Sequence, residues 1–428
     1  MLLTEMNKDQ LIAFKNDVQK EYDDFKNQGL SLNMARGKPS SSQLDLAMKM
    51  LAAVNSYDAD YKASDGTDCR NYGGLDGIID AKNIFSQMLG VSNDEIIVCG
   101  NSSLNIMYDT IAKCIIFGVD GVQKPWKDYE KIKWLCPAPG YDRHFAICES
   151  FGIEMITIPL NEDGPDMDMI EKLVAEDDTI KGIWCVPMYS NPTGITYSDE
   201  TVKRFANLKP AAKDFRIFWD NAYCIHHLTD TPDTLLNILD ECKKAGNDDM
   251  VYMFASTSKI TFAGGGIAVM ATSKANVDYI KSLMTVQTIG FDKINQLRHA
   301  KFFGDYNGLM KQMDKHREIL QPKFEMVLDT LDREIAPLGI GRWHKPRGGY
   351  FVSFDTIDGC AKRVCQLCKE AGVVLTGAGA TFPYGKDAHD SNIRIAPSFP
   401  PVEELELAMK LFVTAVKLAT AEKLLESK

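Results

Sequence analysis

The sequence predicts an α/β protein: a large domain with a mainly parallel seven-stranded sheet covered by helices, plus a smaller α+β domain. Three observations lead there. Short apolar runs recur from about residue 95 to residue 275, each ending in turn or polar residues. Most intervals between them hold helical patterns. The runs are continuously apolar, as expected of strands buried on both faces by helices.

The elements follow in order. Leu11, Phe14, Val18, Tyr22 and Phe25 recur at spacings of three to four, which predicts an amphipathic helix over 5–28. A Gly- and Ser-rich connection, NQGLSLNMARGKPSSSQ, leads through a helical stretch to the loop SDGTDCRNYGGLDG. The seven candidate strands are EIIVCGNSS, KWLCPAPGYD, IEMITIPL, GIWCVPMYSNPTG, RIFWDNAY, MVYMFASTSK and GGIAVMAT. Patterns such as SLNIMYDTIAKCIIFG and DETVKRFANLK supply helices between them. Residues 276–335 read as mostly helical, and 340–428 hold the strands GGYFVSF, GVVLTG and NIRIAPS before a long final helix. The expected division is a large domain over 50–300 and a small one from 1–49 and 301–428.

Composition narrows the function classes. The chain has 428 residues, 45% apolar and 25% charged, which excludes a disordered chain or a small stapled scaffold. Its net charge of −11 argues against a general nucleic-acid binder, which needs a basic face. No stretch approaches the ~18 apolar residues of a membrane helix. The start, MLLTEMNKDQ, does not read as a signal peptide. The 11 cysteines are scattered through apolar segments, so a reducing cytoplasm and inert buried thiols are expected. Cys365 and Cys368 form one CxxC inside a helical pattern, and with no second CxxC a metal site is not expected.

In a doubly wound sheet, ligands bind beyond the carboxyl ends of the strands. The residues just after the runs are therefore candidates: Gly100-Asn101-Ser102-Ser103, Pro139-Gly140-Tyr141, Asn191-Pro192-Thr193-Gly194, Asp220-Asn221-Ala222-Tyr223 and Ser256-Thr257-Ser258-Lys259. Small hydroxyls, free backbone donors, an aromatic face, a carboxylate and a lysine suit a planar phosphorylated cofactor. Each also has a plainer use. Serines and Asp220 can cap helices, Tyr223 can be a core aromatic, and Lys259 can be a solvated surface lysine.

The order NPTG, D-x-A-Y, S-x-S-K and a late arginine in NIRIAPS resembles the fold-type I, pyridoxal-phosphate-dependent aminotransferases over nearly the whole chain. ARGKPS, PGYDRHF, and STSK followed by TFAGGG resemble a divergent group related to aspartate aminotransferases, with a MocR-like aminotransferase domain. The resemblance implies pyridoxal 5′-phosphate as cofactor, with Lys259 forming the Schiff base and carrying the proton as general base and acid. It makes Asp220 the partner of the pyridine nitrogen, and Tyr223 and Asn191 the partners of the cofactor 3′-oxygen. Asn101, Ser102, Ser103, Ser256 and Ser258 would hold the phosphate at a helix N-terminus. Tyr141 would stack on the ring, and Tyr72 would reach the phosphate of a neighbouring subunit in a homodimer. Arg394 would clamp the substrate α-carboxylate with its planar fork.

One departure stands out. The family usually places an arginine eight residues after the lysine, and here that position is Ile267. Backbone donors of Gly264–Gly266, or Lys293 or Arg298, are the candidates to replace its charge. For a dicarboxylate substrate, Arg36 beside Gly37 is the expected second cation, with Lys38, Arg143 and Arg298 behind it. The implied activity is amino transfer from L-aspartate to 2-oxoglutarate by a ping-pong route. Another reaction or amino donor on the same scaffold is the first alternative. A regulator using the fold as a sensor is the second. Only 35 residues precede Arg36, too few for a winged helix-turn-helix.

Overall fold

A computed structural model describes residues 2–57, 60–122 and 124–427. The strands in chain order are β1 (Leu32–Asn33), β2 (Ile96–Val98), β3 (Lys133–Ala138), β4 (Glu154–Asn161), β5 (Gly164–Pro165), β6 (Ile180–Cys185) and β7 (Arg216–Asp220). They continue as β8 (Val251–Ser256), β9 (Ala268–Ala271), β10 (Gly341–Trp343), β11 (Val352–Thr356), β12 (Val373–Val374) and β13 (Asn392–Ile395). All seven predicted runs enter one sheet of order β2-β9-β8-β7-β6-β3-β4-β5. Pairing is parallel from β4 through β3, β6 and β7 to β8, and antiparallel at both ends.

Among the described residues the sheet has eight strands, the seven predicted and one more. The addition, β5, is two residues folded back on the end of β4, too short to leave an apolar run. The β6, β7, β8 and β9 strands are buried along their whole length, which is why they read as unbroken apolar runs. Alternate residues feed opposite faces. Leu135, Ile183, Ile217 and Met253 join the core on one side. Trp134, Trp184, Phe218 and Tyr252 join the core on the other.

A further core gathers both ends of the chain. Leu11, Val18 and Tyr22 of the helix Lys8–Asn27 pack with β11, β13 and the final helix Val402–Glu426. The Tyr22 hydroxyl donates to the Leu367 carbonyl at 2.9 Å, and β1 pairs with β12 in parallel. The β10, β11 and β13 strands form an antiparallel sheet. The long helix Tyr306–Glu334 runs between cores, giving Leu309 and Met313 to the sheet side and Phe324 and Leu331 to the other. All 11 cysteines are free, and only Cys224 and Cys365 are less than fully buried. Among the described residues, no helix is long and apolar enough to cross a membrane.

Candidate active site

The carboxyl ends of β6, β7 and β8 open onto a cleft of about 530 Å³. Asp220 is the last residue of β7, Asn191 lies in the loop after β6, and Lys259 sits in the turn after β8. Arg394 enters from β13, and the segment from Ala35 to Lys38 closes another side. Ser102, Ser103, Tyr141, Tyr223, Ser256, Ser258, Arg36 and Gly37 complete the predicted set at this cleft.

Asp220 is buried, with one carboxylate oxygen 3.1 Å from His144 Nε2 and the other without a partner. Its pairing with Phe254 of β8 fixes where the carboxylate starts. Lys259 Nζ lies 5.0 Å from the Tyr223 ring centre and 5.8 Å from that of Tyr350. Burial lowers the amine's pKa, and the Asp220 charge opposes that shift. A lysine held this way gains neutral, nucleophilic amine. Burial raises the Tyr141 phenol to about 12, with Asp220 adding to the effect, and pushes Tyr223 well above its ordinary value.

Arg394 Nη1 donates to Asp142 at 3.0 Å and to Asn191 Oδ1 at 3.2 Å. Its Nη2 donates to the Thr376 hydroxyl at 3.2 Å, and the guanidinium lies 4.8 Å from the Phe351 ring centre. Its Nε is buried without a partner. Accepting from Arg394 turns the Asn191 oxygen toward the arginine and leaves its amide N–H groups as donors.

Ser102 is the N-cap of the helix Ser103–Phe117, yet its side chain makes no capping hydrogen bond. The helix start thus keeps donors that no side chain satisfies. Ser256 Oγ donates to Ser258 Oγ at 3.1 Å, and Ser258 Oγ to the Asn101 carbonyl at 3.3 Å.

Two predicted residues lie elsewhere. Asn101 does not line the cleft, and its amide donates to the Ala263 carbonyl at 3.3 Å, bracing the lysine loop. Tyr72 is 82% exposed and lines a separate surface hollow with Ile289 and Lys293. Lys293 is buried, its ammonium bonded to the Gly73 carbonyl at 2.6 Å. Arg298 does not line the cleft either. Gly264–Gly266 stay outside it as well. Gly266 instead allows a close approach, since a Cβ there would stand 3.0 Å from Thr257 Oγ1. Ile267 is buried; its carbonyl accepts from the Thr257 N–H at 2.9 Å, and its own N–H donates to the Thr257 hydroxyl at 3.0 Å.

Sequence reasoning missed His144, Asp142, Thr376 and Phe351. His144 stacks on Trp184 at 4.3 Å with 10° between planes, which locks the ring that holds Asp220. Its signal was present, a histidine three residues after Tyr141 in PGYDRHF. Phe351 lies under Gly37, where a Cβ would fall 2.2 Å from the ring.

A family model for aspartate amino-transferase matches residues 6–428. An aspartate aminotransferase of Corynebacterium glutamicum is 47% identical over 98% of this chain and 96% of its own length. The crystal structure of an aspartate transaminase from that organism superposes with a TM-score of 0.96 at 46% identity, covering 99% of both chains. An α-aminoadipate aminotransferase of Thermus thermophilus, complexed with N-(5′-phosphopyridoxyl)-L-leucine, shares the fold at 19% identity, with a TM-score of 0.74 over 92% of this chain and 93% of that one. The chain belongs to the aspartate amino-transferase family, among the fold-type I aminotransferases.

Proposed function

We propose that this enzyme uses pyridoxal 5′-phosphate to move the amino group of L-aspartate to 2-oxoglutarate in a ping-pong cycle. The observation that carries the reading is Lys259 deep in a cleft facing Asp220, whose second oxygen is buried and unpartnered. A buried carboxylate oxygen without a donor suits a protonated ring nitrogen. The uncapped helix start beside Ser102 suits a phosphate. The residues present therefore fit the cofactor.

The cofactor, when bound, supplies an aldehyde that takes up the amino group and a ring that accepts electron density. The protein's own groups do the rest. Ser102, Ser103, Ser256 and Ser258 hold the phosphate, and Tyr141 covers the ring. The Asn191 amide and the Tyr223 hydroxyl hold the ring oxygen. His144 keeps Asp220 oriented. Lys259 would act as general base at the substrate α-carbon in one half of the cycle and as general acid at that carbon in the other, completing a proton shift within each half. Arg394 binds the α-carboxylate, and Arg36, exposed at the cleft mouth, meets the side-chain carboxylate.

The relatives named for aspartate support the donor. A homodimer fits the exposed Tyr72, Ile289 and Val286, which would bring Tyr72 of one copy to the cleft of the other. Free, mostly buried thiols suit a cytoplasmic setting. A panel of amino donors with 2-oxoglutarate tests the reading. Aspartate is expected to give the highest kcat/KM, with oxaloacetate as product. Faster turnover of a neutral or aromatic donor overturns the substrate, and no turnover of any donor overturns the activity.

A further inference from the structure

Lys259 lies on a single turn that the chain does not continue as a helix. Ile260 and Thr261 both donate their N–H groups to the Thr257 carbonyl at 2.9 Å, and the chain then leaves through Phe262–Gly266. The Lys259 and Ile260 carbonyls are thus left without helical partners, and buried carbonyls need donors from elsewhere.

The donors come from distant parts of the chain. His316 Nε2 lies 2.9 Å from the Ile260 carbonyl, and the Tyr350 hydroxyl is 3.4 Å from that of Lys259. Both side chains converge on one amide. Gln43 Nε2 lies 3.1 Å from His316 Nδ1 and 2.8 Å from the Tyr350 oxygen. Gln43 is fully buried, and His316 and Tyr350 are each 1% exposed.

The direction of every bond follows from donor chemistry. The Ser40 N–H can only donate, and it meets Gln43 Oε1 at 3.1 Å, so the amide NH2 faces the other way. The Ile260 carbonyl can only accept, so His316 carries its proton on Nε2 and accepts from Gln43 at Nδ1. Burial favours that neutral ring. Tyr350 accepts from Gln43 and keeps its own O–H for the Lys259 carbonyl. One glutamine thereby sets the polarity of two bonds to consecutive carbonyls of the lysine turn. It does so from a short helix, Ser41–Asp45, that follows directly on the Arg36 segment.

We propose that Gln43 is a positioning residue for amino transfer, which acts through His316 and Tyr350 to hold the Lys259–Ile260 backbone and so aim the Lys259 amine. The proposal rests on reading Lys259 as the cofactor-holding lysine. A displaced turn would move the amine without touching Arg394 or Arg36. Its mark is therefore a loss in kcat and in cofactor capture with KM preserved.

The test compares Gln43→Leu, His316→Leu and His316→Gln with the unaltered enzyme. The readouts are kcat, KM for aspartate, and the rate at which cofactor-stripped protein regains its visible absorbance on adding pyridoxal 5′-phosphate. Gln43→Leu and His316→Leu are expected to lose about tenfold in kcat and in capture rate, with KM changed by less than about twofold. His316→Gln keeps an N–H at the reach of Nε2 and a carbonyl to accept from Gln43, so it should stay within about threefold of the unaltered enzyme. Unchanged capture in Gln43→Leu, or equal losses in both His316 variants, overturns the proposal. If Gln43→Leu does not fold, the His316 pair decides alone. Lys259→Ala separates the two readings. Capture and turnover surviving in Lys259→Ala would refute the role of Lys259, whereas normal Gln43→Leu beside an inert Lys259→Ala refutes only the positioning role.

Discussion

The cleft has two halves of different construction. One is made from strand ends: Asp220 ends β7, and Asn191 and Lys259 follow β6 and β8, so the hydrogen-bonded sheet sets their spacing. The other is the segment from Ala35 to Gln43, irregular until the short helix Ser41–Asp45 begins. It is pinned by single contacts. Met34 donates to the Val374 carbonyl at 2.9 Å, Thr376 to that of Ala35 at 2.8 Å, and Ser398 to that of Lys38 at 3.1 Å. On the proposed reading, the sheet half holds groups for chemistry common to many amino donors. The pinned half holds the exposed cations Arg36 and Lys38, which on the proposed reading meet what differs between donors. A rigid sheet suits the first task, and a loop on a scaffold suits the second.

Removing the central group of the sheet half gives the largest expected effect. Lys259→Ala should lower turnover of every donor by at least about 10²–10⁴-fold, the usual contribution of proton transfer by a positioned base. The visible absorbance of the loaded enzyme should change with it. Equal activity in the variant would show that the sheet half does not carry the reaction.

Arg36→Ala acts on the other half and should separate donors. Loss of a charge-assisted bond to the side-chain carboxylate should lower kcat/KM for aspartate by about 10–100-fold, and that for a neutral amino acid by less than about threefold. Equal losses would move the second cation to Lys38 or Arg143, which also line the cleft.

Gly37→Ala should disturb the pinned half by packing alone. The added carbon would stand 2.2 Å from the Phe351 ring, which itself lies 4.8 Å from the Arg394 guanidinium. Overpacking of this kind costs about 1–3 kcal/mol. A lowered Tm and a raised KM for all donors are expected, because the proposed function gives Arg394 the α-carboxylate that every donor carries. A raised KM for aspartate alone would mean that Phe351 yields without moving Arg394.

The two halves also differed in how far the sequence disclosed them. Asp220, Asn191 and Lys259 were legible because a polar residue directly after an apolar run must sit at the sheet's carboxyl edge. The β5 strand was not, being two residues without a pattern of its own. Gln43 was invisible because its partners His316 and Tyr350 are 273 and 307 residues away. No local spacing encodes such a contact. Tyr72 carried a motif, but its site lies outside the cleft of its own chain.

The smallest expected effect tests how the sheet half is braced. His299 Nε2 lies 3.1 Å from Thr257 Oγ1 and 2.9 Å from Thr261 Oγ1, on either side of Lys259. Its Nδ1 is 2.8 Å from the Asn295 carbonyl, which only accepts, so Nδ1 carries the proton and Nε2 receives the threonines. Burial lowers this histidine from 6.5 to about 4. The unfolded chain therefore binds a proton that the folded one does not as pH falls below 6.5, and stability is lost between about pH 6.5 and 4. His299→Gln cannot take that proton. Between pH 7.5 and 5.5 it should lose about 1 kcal/mol less unfolding free energy than the unaltered chain. Burial also lowers His226 and His316, but they titrate in both proteins and cancel in the difference. Urea unfolding at the two pH values measures it. Parallel losses in both proteins would mean that the Thr257–Thr261 turn opens to admit a charged ring at His299, leaving the sheet half no better braced than the pinned one.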